Sequence, residues 1–351
     1  MNKIISKLSI LLVLIASTNI VMAQGNTSDS KSVSAGFVFK TKAGVPPIPA
    51  PNVSVQAVFF KNRDMKVAGL LYAPKNLVKG KKYSAIVVGH PFNGVKEQTS
   101  GLHAAMLAEL GYVALAYDAT HYGESGGEPR QEEVVSDRVE DYSAALDYLT
   151  TLDFVDKDRI GVLGVCAGGG YAIAAAQQET RFKAIATVSM FDMGRAHREG
   201  PFGSPADILK SVGEQRTKEA NGEAPKLIQP IPLVADANTP PLIKEFIDYY
   251  TTPRGKHPRN LMLYTYTSMA RLINFYPFDH IETISPRPIL FIVGEKAQSR
   301  FFTDDAYSKA VEPKELFVVP GAGHVDLYDQ PQYMAVSLKK LDDFFSKYLG
   351  K

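Results

Sequence analysis

The residues best suited to do chemistry in this 351-residue chain surround its single cysteine. Cys166 stands in Gly164-Val165-Cys166-Ala167-Gly168-Gly169, between an apolar run over 160–163 and an alanine-rich segment. A strand, a sharp turn and a helix in that order form a nucleophile elbow, with glycine two residues before and two after the nucleophile. Glycine is needed there because a Cβ would crowd the neighbouring backbone. We therefore predict that Cys166 is a nucleophile and that the helix N-terminus favours its thiolate.

Two other interpretations of this segment are possible in principle. A lone cysteine is often buried filler, and no intramolecular disulfide can form in a chain with one cysteine. A glycine-rich turn can also bind a dinucleotide or a phosphate. The spacing here fits neither G-x-G-x-x-G nor a P-loop, and no Lys-Ser or Lys-Thr pair follows.

The base for this nucleophile is predicted at His324, in the glycine-rich segment 319–324 after the last predicted strand. A histidine in this position, C-terminal to the nucleophile, follows the chain order that such elbows require. It would take the thiol proton and then deliver it to the leaving group. The alternative is a loop histidine with a purely structural hydrogen bond.

Two carboxylates compete as the acid that orients the histidine. Asp192 lies just after the predicted strand 183–189, and Glu295 lies at the end of the predicted strand 288–294. The more usual position, three residues past Gly294, holds Ala297. Asp192 is slightly preferred to Glu295, and each also has an ordinary interpretation as a surface charge or a helix cap.

The expected oxyanion hole combines two backbone N–H groups. One belongs to Ala167, directly after the nucleophile, and the other to Phe92 in the loop after the third strand, because the preceding Pro91 has no N–H. His90 on the same loop lines the pocket or fixes the loop by hydrogen bonding. His121, in a polar segment after the fourth strand, is a further pocket residue and a less well placed alternative base.

The elements that must position these residues alternate along the chain. Segments 55–60 and 66–73 are predicted to be two strands of an antiparallel hairpin. The segments that follow alternate between short apolar strands and amphipathic helices. This alternation predicts an α/β fold: a mostly parallel sheet with helices on both faces and the substrate at the carboxyl ends of the strands. The predicted elements are strands 84–89, 112–117, 159–163, 183–189, 288–294 and 315–319, and helices 98–110, 132–149, 167–177 and 332–348.

The alternation breaks between residues 194 and 285, where ten prolines interrupt short helical pieces. We interpret this stretch as a helical lid inserted into one domain over 54–351. Its aromatic residues, among them Tyr250, indicate an apolar or aromatic pocket, or else pack the lid onto the sheet.

The first 53 residues indicate export. Residues 1–23 combine Lys3 and Lys7, an uncharged apolar stretch and the cleavage pattern Val21-Met22-Ala23, which is typical of a signal peptide. The apolar stretch is short for an uncleaved anchor helix, which is the alternative. Residues 24–53 resemble a flexible arm. We expect a periplasmic or secreted protein with no membrane association after cleavage.

Charge and metal-ligand spacing exclude several partners. The net charge of +2 falls to about zero once the two signal-peptide lysines are removed, and no basic block remains, so nucleic acid is not expected as a partner. One cysteine and seven scattered histidines predict no metal site, and no cofactor is expected. The expected partner is a small acyl substrate.

Several motifs resemble those of bacterial YcjY-type α/β-hydrolases. They are Gly89-His90-Pro91-Phe92-Asn93-Gly94-Val95-Lys96-Glu97-Gln98, the segment Tyr122–Arg130, the elbow, and Val188–Gly194. The cysteine elbow is also similar to that of dienelactone hydrolases, and fungal polyketide transferases share the core. The resemblance covers roughly residues 53–351 and implies the α/β-hydrolase fold with acyl chemistry by a Cys–His pair. The export signal departs from cytoplasmic members and argues against coenzyme A or carrier-bound substrates.

Three functions follow as expectations. The first is hydrolysis of small esters, lactones or thioesters through a covalent Cys166 intermediate. The second is acyl transfer, in which the same intermediate is passed to an acceptor other than water. The third is a non-catalytic binding protein on the hydrolase fold, which the unsettled acid allows but the intact elbow and His324 oppose.

Overall fold

The chain forms one mixed eight-stranded sheet in a computed structural model that describes residues 52–351. The predicted signal peptide and nearly all of the predicted arm lie outside the described residues. The sheet order is β1-β2-β4-β3-β5-β6-β9-β10, and β7 and β8 form a separate antiparallel pair. The strands are β1 Val53–Asn62, β2 Met65–Pro74, β3 Tyr83–Gly89, β4 Val113–Tyr117, β5 Val155–Val165, β6 Ala184–Val188, β7 Leu227–Ile228, β8 Tyr264–Thr265, β9 Ile289–Gly294 and β10 Lys314–Val319.

The predicted hairpin opens the sheet. β1 pairs with β2 in antiparallel register, and the turn narrows to Arg63 and Asp64, with Arg63 at φ 51°. β2 pairs antiparallel with β4, and all neighbours from β4 to β10 pair in parallel. The central strands β3, β4, β6 and β9 are buried along their whole length, as expected for parallel strands covered on both faces.

Helices cover both faces of the sheet. α2 packs beside α3 and α1 beside α10, and α3 and α10 both contact β5 and β6, so the two pairs lie on opposite faces. The helices are α1 Thr99–Glu109, α2 Val135–Thr150, α3 Ala167–Gln178, α4 Met193–Glu199, α5 Pro205–Ala220, α6 Pro241–Thr251, α7 Ser268–Ile273, α8 Arg300–Lys309, α9 Asp326–Asp329 and α10 Pro331–Leu349, with a 3₁₀ turn at Ile281–Ile284. The α/β class predicted from the sequence is confirmed.

A helical insertion occupies the interval between β6 and β9, where the alternation breaks in the sequence. It contains α4 to α7 and the β7–β8 pair, with α4 and α5 packed against α7. α6 is amphipathic and buries Leu242, Ile243, Phe246 and Ile247. Within residues 52–351, no helix is both long and apolar enough to cross a membrane.

Candidate active site

The elbow is a tight turn between β5 and α3. Cys166 adopts φ 56° and ψ −124°, a conformation that L-residues rarely take and that marks stored backbone strain. A Cβ on Gly164 would lie 2.3 Å from the carbonyl oxygen of Gly168, and a Cβ on Gly168 would lie 2.7 Å from that of His90. The two glycines therefore allow the strand, the helix and the neighbouring loop to approach closely enough to hold this turn.

The Cys166 sulfur faces the two backbone donors predicted from the sequence. The N–H groups of Ala167 and Phe92 both hydrogen-bond to it, and so does the Tyr328 hydroxyl. An oxyanion that forms when the sulfur attacks a carbonyl carbon develops next to the sulfur, within reach of the same donors. The geometry therefore matches an oxyanion hole built from Phe92 and Ala167.

Burial changes the expected ionisation of the cysteine. Cys166 is only 4% exposed, and loss of hydration raises the pKa of its thiol to about 11 even though Tyr328, Ala167 and Phe92 stabilise the thiolate. Desolvation therefore outweighs the helix N-terminus that led us to expect a thiolate. The resting group at neutral pH is a thiol.

His324 lies near the cysteine and is fully buried. Its Nδ1 is 2.5 Å from the Oγ of Ser299, and its Nε2 is 3.0 Å from the hydroxyl oxygen of Tyr328. Burial lowers the pKa of the imidazole to about 3, so the ring is neutral at physiological pH. Because the Tyr328 hydroxyl contacts both His324 and Cys166, it connects the imidazole to the thiol.

Neither predicted acid contacts the imidazole. Asp192 caps α4 by accepting the N–H of Arg195 at 2.9 Å, and Glu295 is an exposed side chain that accepts the N–H of Gly321 at 2.8 Å. The place next to Nδ1 is taken by Ser299, which directly precedes α8. Both residues predicted from the sequence for this place are carboxylates, whereas the structure has a serine there.

Tyr328 and Ser299 were both missed in the sequence. Tyr328 lies on α9, four residues after His324. This spacing places the Tyr328 hydroxyl within hydrogen-bond distance of the imidazole. The spacing of four residues was a usable signal for Tyr328. No comparable signal exists for Ser299, which is 25 residues before His324 and reaches it only through the fold.

The two further histidines are structural. His90 is bonded at Nδ1 to the carbonyl oxygen of Pro91 at 2.7 Å and accepts the N–H of Ala119 at Nε2 at 3.0 Å, so it fixes the loop that carries Phe92. His121 is bonded to the carbonyl oxygen of Pro129. Neither lines the cavity above Cys166, which corrects their assignment to the pocket. The reason is that both rings bond to backbone groups outside the cavity, His90 to Pro91 and Ala119 and His121 to Pro129.

A cavity opens beside Cys166. Its walls come from the loop over residues 90–94 that carries Phe92 (the oxyanion loop), the elbow, α4, α6 and the loops between the helices of the insertion, and they are mostly apolar. Prominent lining residues are Phe191, Met193, Phe202, Leu242, Phe246 and Met262. Of the insertion's tyrosines, Tyr250 lines the cavity, whereas Tyr249 and Tyr264 are buried outside it.

The insertion also contacts His324 and its loop. Glu245 on α6 accepts the backbone N–H of Val325 at 2.9 Å and that of His324, and the Phe246 ring meets the imidazole edge-to-face at 5.3 Å between centroids. The same helix therefore forms a cavity wall and supports the loop that carries His324.

The sheet, the elbow after β5 and the histidine loop after β10 together define an α/β-hydrolase. A model of the Dienelactone hydrolase family matches residues 67–191, which include the oxyanion loop and the elbow but not His324. Uncharacterized protein PA2218 of Pseudomonas aeruginosa is 41% identical over 306 residues, covering 85% of this chain and 81% of that protein. Its crystal structure has a TM-score of 0.84 at 37% identity and covers 92% of this chain and 100% of that chain.

Two further relatives place the chain in the same group. Uncharacterized protein YcjY of Escherichia coli K12 is 38% identical over 306 residues, covering 85% of this chain and 99% of that protein. Acyltransferase drtE of Aspergillus calidoustus is 27% identical over 281 residues, covering 77% of this chain and 88% of that protein. The chain belongs to the dienelactone hydrolase family of α/β-hydrolases, in its YcjY-type branch.

Proposed function

We propose that this protein hydrolyses small esters, lactones or thioesters through a covalent intermediate on Cys166. The observation that carries this proposal is the position of the sulfur, which sits at the floor of an apolar cavity with two backbone N–H donors beside it. An acyl carbonyl placed against the sulfur would have its oxygen within reach of these donors and its apolar part in the cavity.

The proton path in this proposal runs through Tyr328. As the sulfur bonds to the carbonyl carbon, the thiol proton passes to the Tyr328 oxygen while the tyrosine proton passes to Nε2 of His324. The tetrahedral intermediate then collapses, the bond to the leaving group breaks, and the leaving group receives the proton by the reverse route. A water molecule then attacks the carbonyl carbon of the acyl-enzyme with the same proton transfers. The acid is released and the thiol of Cys166 is restored. The neutral resting states of Cys166 and His324 support proton transfer during attack in place of a preformed ion pair.

Ser299 acts in this scheme as a positioning residue. If the Nδ1 proton is donated to Ser299, the lone pair of Nε2 faces Tyr328, which is the tautomer that a base requires. A serine offers no negative charge to offset an imidazolium. A cysteine nucleophile can work without that charge, because a thiol is more acidic than a serine hydroxyl and can be deprotonated by a weaker base.

Acyl transfer is the second candidate, and the cavity favours it. Its walls are mostly apolar, so water that enters finds few polar groups to hold it, while an apolar acceptor would displace that water readily. The relative drtE is named an acyltransferase. Both functions share the first half-reaction and differ only in the acceptor.

The deciding experiment follows the enzyme and its products by mass spectrometry with p-nitrophenyl acetate and p-nitrophenyl octanoate. We expect one acyl group on the protein, located on Cys166 and absent from Cys166→Ala. Free acid alone, with added alcohols and amines left unacylated, supports hydrolysis, and acylated acceptor supports transfer. No acyl-enzyme and no turnover with esters, thioesters or lactones would favour the binding-protein alternative.

Export is a separate proposal supported by the signal-peptide pattern over residues 1–23. Expression of the full chain in a Gram-negative host and N-terminal sequencing of the fractionated protein tests it. We expect mature protein in the periplasm that begins at Gln24. Full-length protein in the cytoplasm would contradict the proposal, and full-length protein in the membrane would indicate an uncleaved anchor.

A further inference from the structure

One side-chain oxygen at the cavity lacks a hydrogen-bond partner. Asn93 lines the cavity, is only 5% exposed, and its buried Oδ1 has no partner among the residues that the structure describes. Burial of a hydrogen-bond acceptor without a protein partner costs free energy, because its hydrogen bonds to water are lost. Each such group in a folded protein therefore calls for an explanation.

The neighbouring polar side chains of the cavity are already satisfied. His197 uses both ring nitrogens, at 2.7 Å from a backbone carbonyl oxygen and 3.1 Å from a tyrosine hydroxyl. Asn260 donates from Nδ2 to a glutamine at 3.0 Å and accepts a backbone N–H at Oδ1 at 2.9 Å. In the part of the cavity wall that the structure describes, Asn93 is therefore the residue with a buried acceptor left over.

The position of Asn93 relates this acceptor to the reacting carbonyl. Asn93 directly follows Phe92, whose N–H faces the Cys166 sulfur, and consecutive Cα atoms are about 3.8 Å apart. A group held by Asn93 would thus lie a few bonds from a carbonyl oxygen held by Phe92. We infer that Asn93 Oδ1 accepts a hydrogen bond from a hydroxyl or N–H on carbon 2 or 3 of the acyl group, whose apolar remainder fills the cavity.

This inference rests on the proposed acyl chemistry and narrows its substrate class to hydroxyacyl or amidoacyl compounds. The apolar walls suit the chain of such a substrate, and the unpartnered oxygen suits its donor. A plain acyl chain would leave Oδ1 without a hydrogen bond in the complex. The missing hydrogen bond would lower the affinity for plain acyl compounds relative to those that carry a donor.

Backbone conformation is the competing explanation for an asparagine here. Asn93 has φ 56° in a turn closed by the Gly94 N–H and the Pro91 carbonyl oxygen at 2.9 Å, and asparagine and glycine both tolerate such angles. Asn93→Gly keeps the turn and removes the oxygen. Asn93→Asp keeps an acceptor at the same place. The pair therefore separates the two explanations.

Binding to the Cys166→Ala protein tests the inference without turnover. We would titrate octanamide, 2-hydroxyoctanamide and 3-hydroxyoctanamide by calorimetry and expect one hydroxyamide to bind about tenfold more tightly than octanamide, the effect of one good buried hydrogen bond. Adding Asn93→Gly should abolish this preference, and adding Asn93→Asp should retain it.

Equal affinities, a preference that persists in Asn93→Gly, or no binding of any amide would overturn the inference. Thermal unfolding of each variant reports whether the turn is intact. A hydroxyamide preference that depends on Asn93, in a protein that forms no acyl-enzyme, would leave the role of Asn93 standing and refute the proposed reaction. Acylation by plain and hydroxylated esters at equal kcat/KM would refute the role of Asn93 alone.

Discussion

The elbow around Cys166 and the loop around His324 serve the same site but are held in different ways. The elbow is held by backbone: two glycines let Cys166 adopt its strained turn against neighbouring carbonyl groups. The His324 loop is held by side chains from other elements, namely Ser299, Tyr328 and Glu245. Changes in the elbow should therefore affect folding first, and changes around His324 should affect the reaction first.

Gly164→Ala is the largest expected perturbation. The added Cβ would meet backbone atoms of Gly168 and Gly169, which cannot rotate away as a side chain can, so we expect a loss of at least about 4 kcal/mol in the free energy of unfolding, or no folding. Urea unfolding followed by circular dichroism measures it.

Gly213→Ala is the matched control for this prediction. Gly213 lies inside α5, and a Cβ there would meet nothing within 4 Å. We expect a gain of about 0.5–1 kcal/mol, because alanine is the better helix former. Similar losses for the two variants would show that the elbow does not depend on close backbone approach.

The reactivity of Cys166 should show a steep pH dependence. Because burial raises the pKa of the thiol to about 11, the thiolate fraction should increase about tenfold per pH unit and about a thousandfold from pH 6.5 to 9.5. The rate of alkylation by iodoacetamide, followed by mass spectrometry of the intact protein, reports it. A plateau below pH 8 would instead reveal a stable thiolate and a site organised as an ion pair.

Tyr328→Phe should lower the activity of the protein without lowering its stability. It removes the hydroxyl that joins Nε2 of His324 to the sulfur, and we expect kcat for ester turnover to fall about a hundredfold with little change in unfolding. Tyr333→Phe is a control, since its hydroxyl bonds only a loop carbonyl oxygen at 3.2 Å. Unchanged kcat in Tyr328→Phe would mean that His324 reaches the thiol directly.

Ser299→Ala should have a smaller effect of the same kind. Loss of the Nδ1 partner lets the imidazole adopt either tautomer, and we expect kcat to fall about tenfold with KM unchanged. Ser299→Thr retains a hydroxyl and should recover part of the activity. A fall in stability without a change in kcat would show that Ser299 only packs the loop.

Asp192→Asn and Glu295→Gln should have the least effect. Neither carboxylate contacts His324, and asparagine caps a helix about as well as aspartate does. We expect kcat within about twofold of the unchanged protein, because both carboxylates bond to backbone N–H groups away from the imidazole. A tenfold loss in either variant would return that carboxylate to the role predicted from the sequence.

The sequence was informative where the chemistry depends on local backbone. The glycine spacing around Cys166 and the proline before Phe92 led to the elbow and both N–H donors, because sterics and a missing N–H act within a few residues. The alternation of strands and helices led to the parallel sheet for the same reason, since period and length are local properties.

The surroundings of Cys166 and His324 could not be predicted from the local sequence. The neutral states of Cys166 and His324 come from burial beneath the insertion, and Ser299 reaches the imidazole from 25 residues away. Desolvation and long-range contacts depend on what the whole chain places around an atom, which no short motif encodes. The sequence by itself thus determined the fold, the elbow and the two backbone N–H groups beside the sulfur. Only the tertiary structure decided the partners of the base and the charge states, because these depend on atoms brought together from distant parts of the chain.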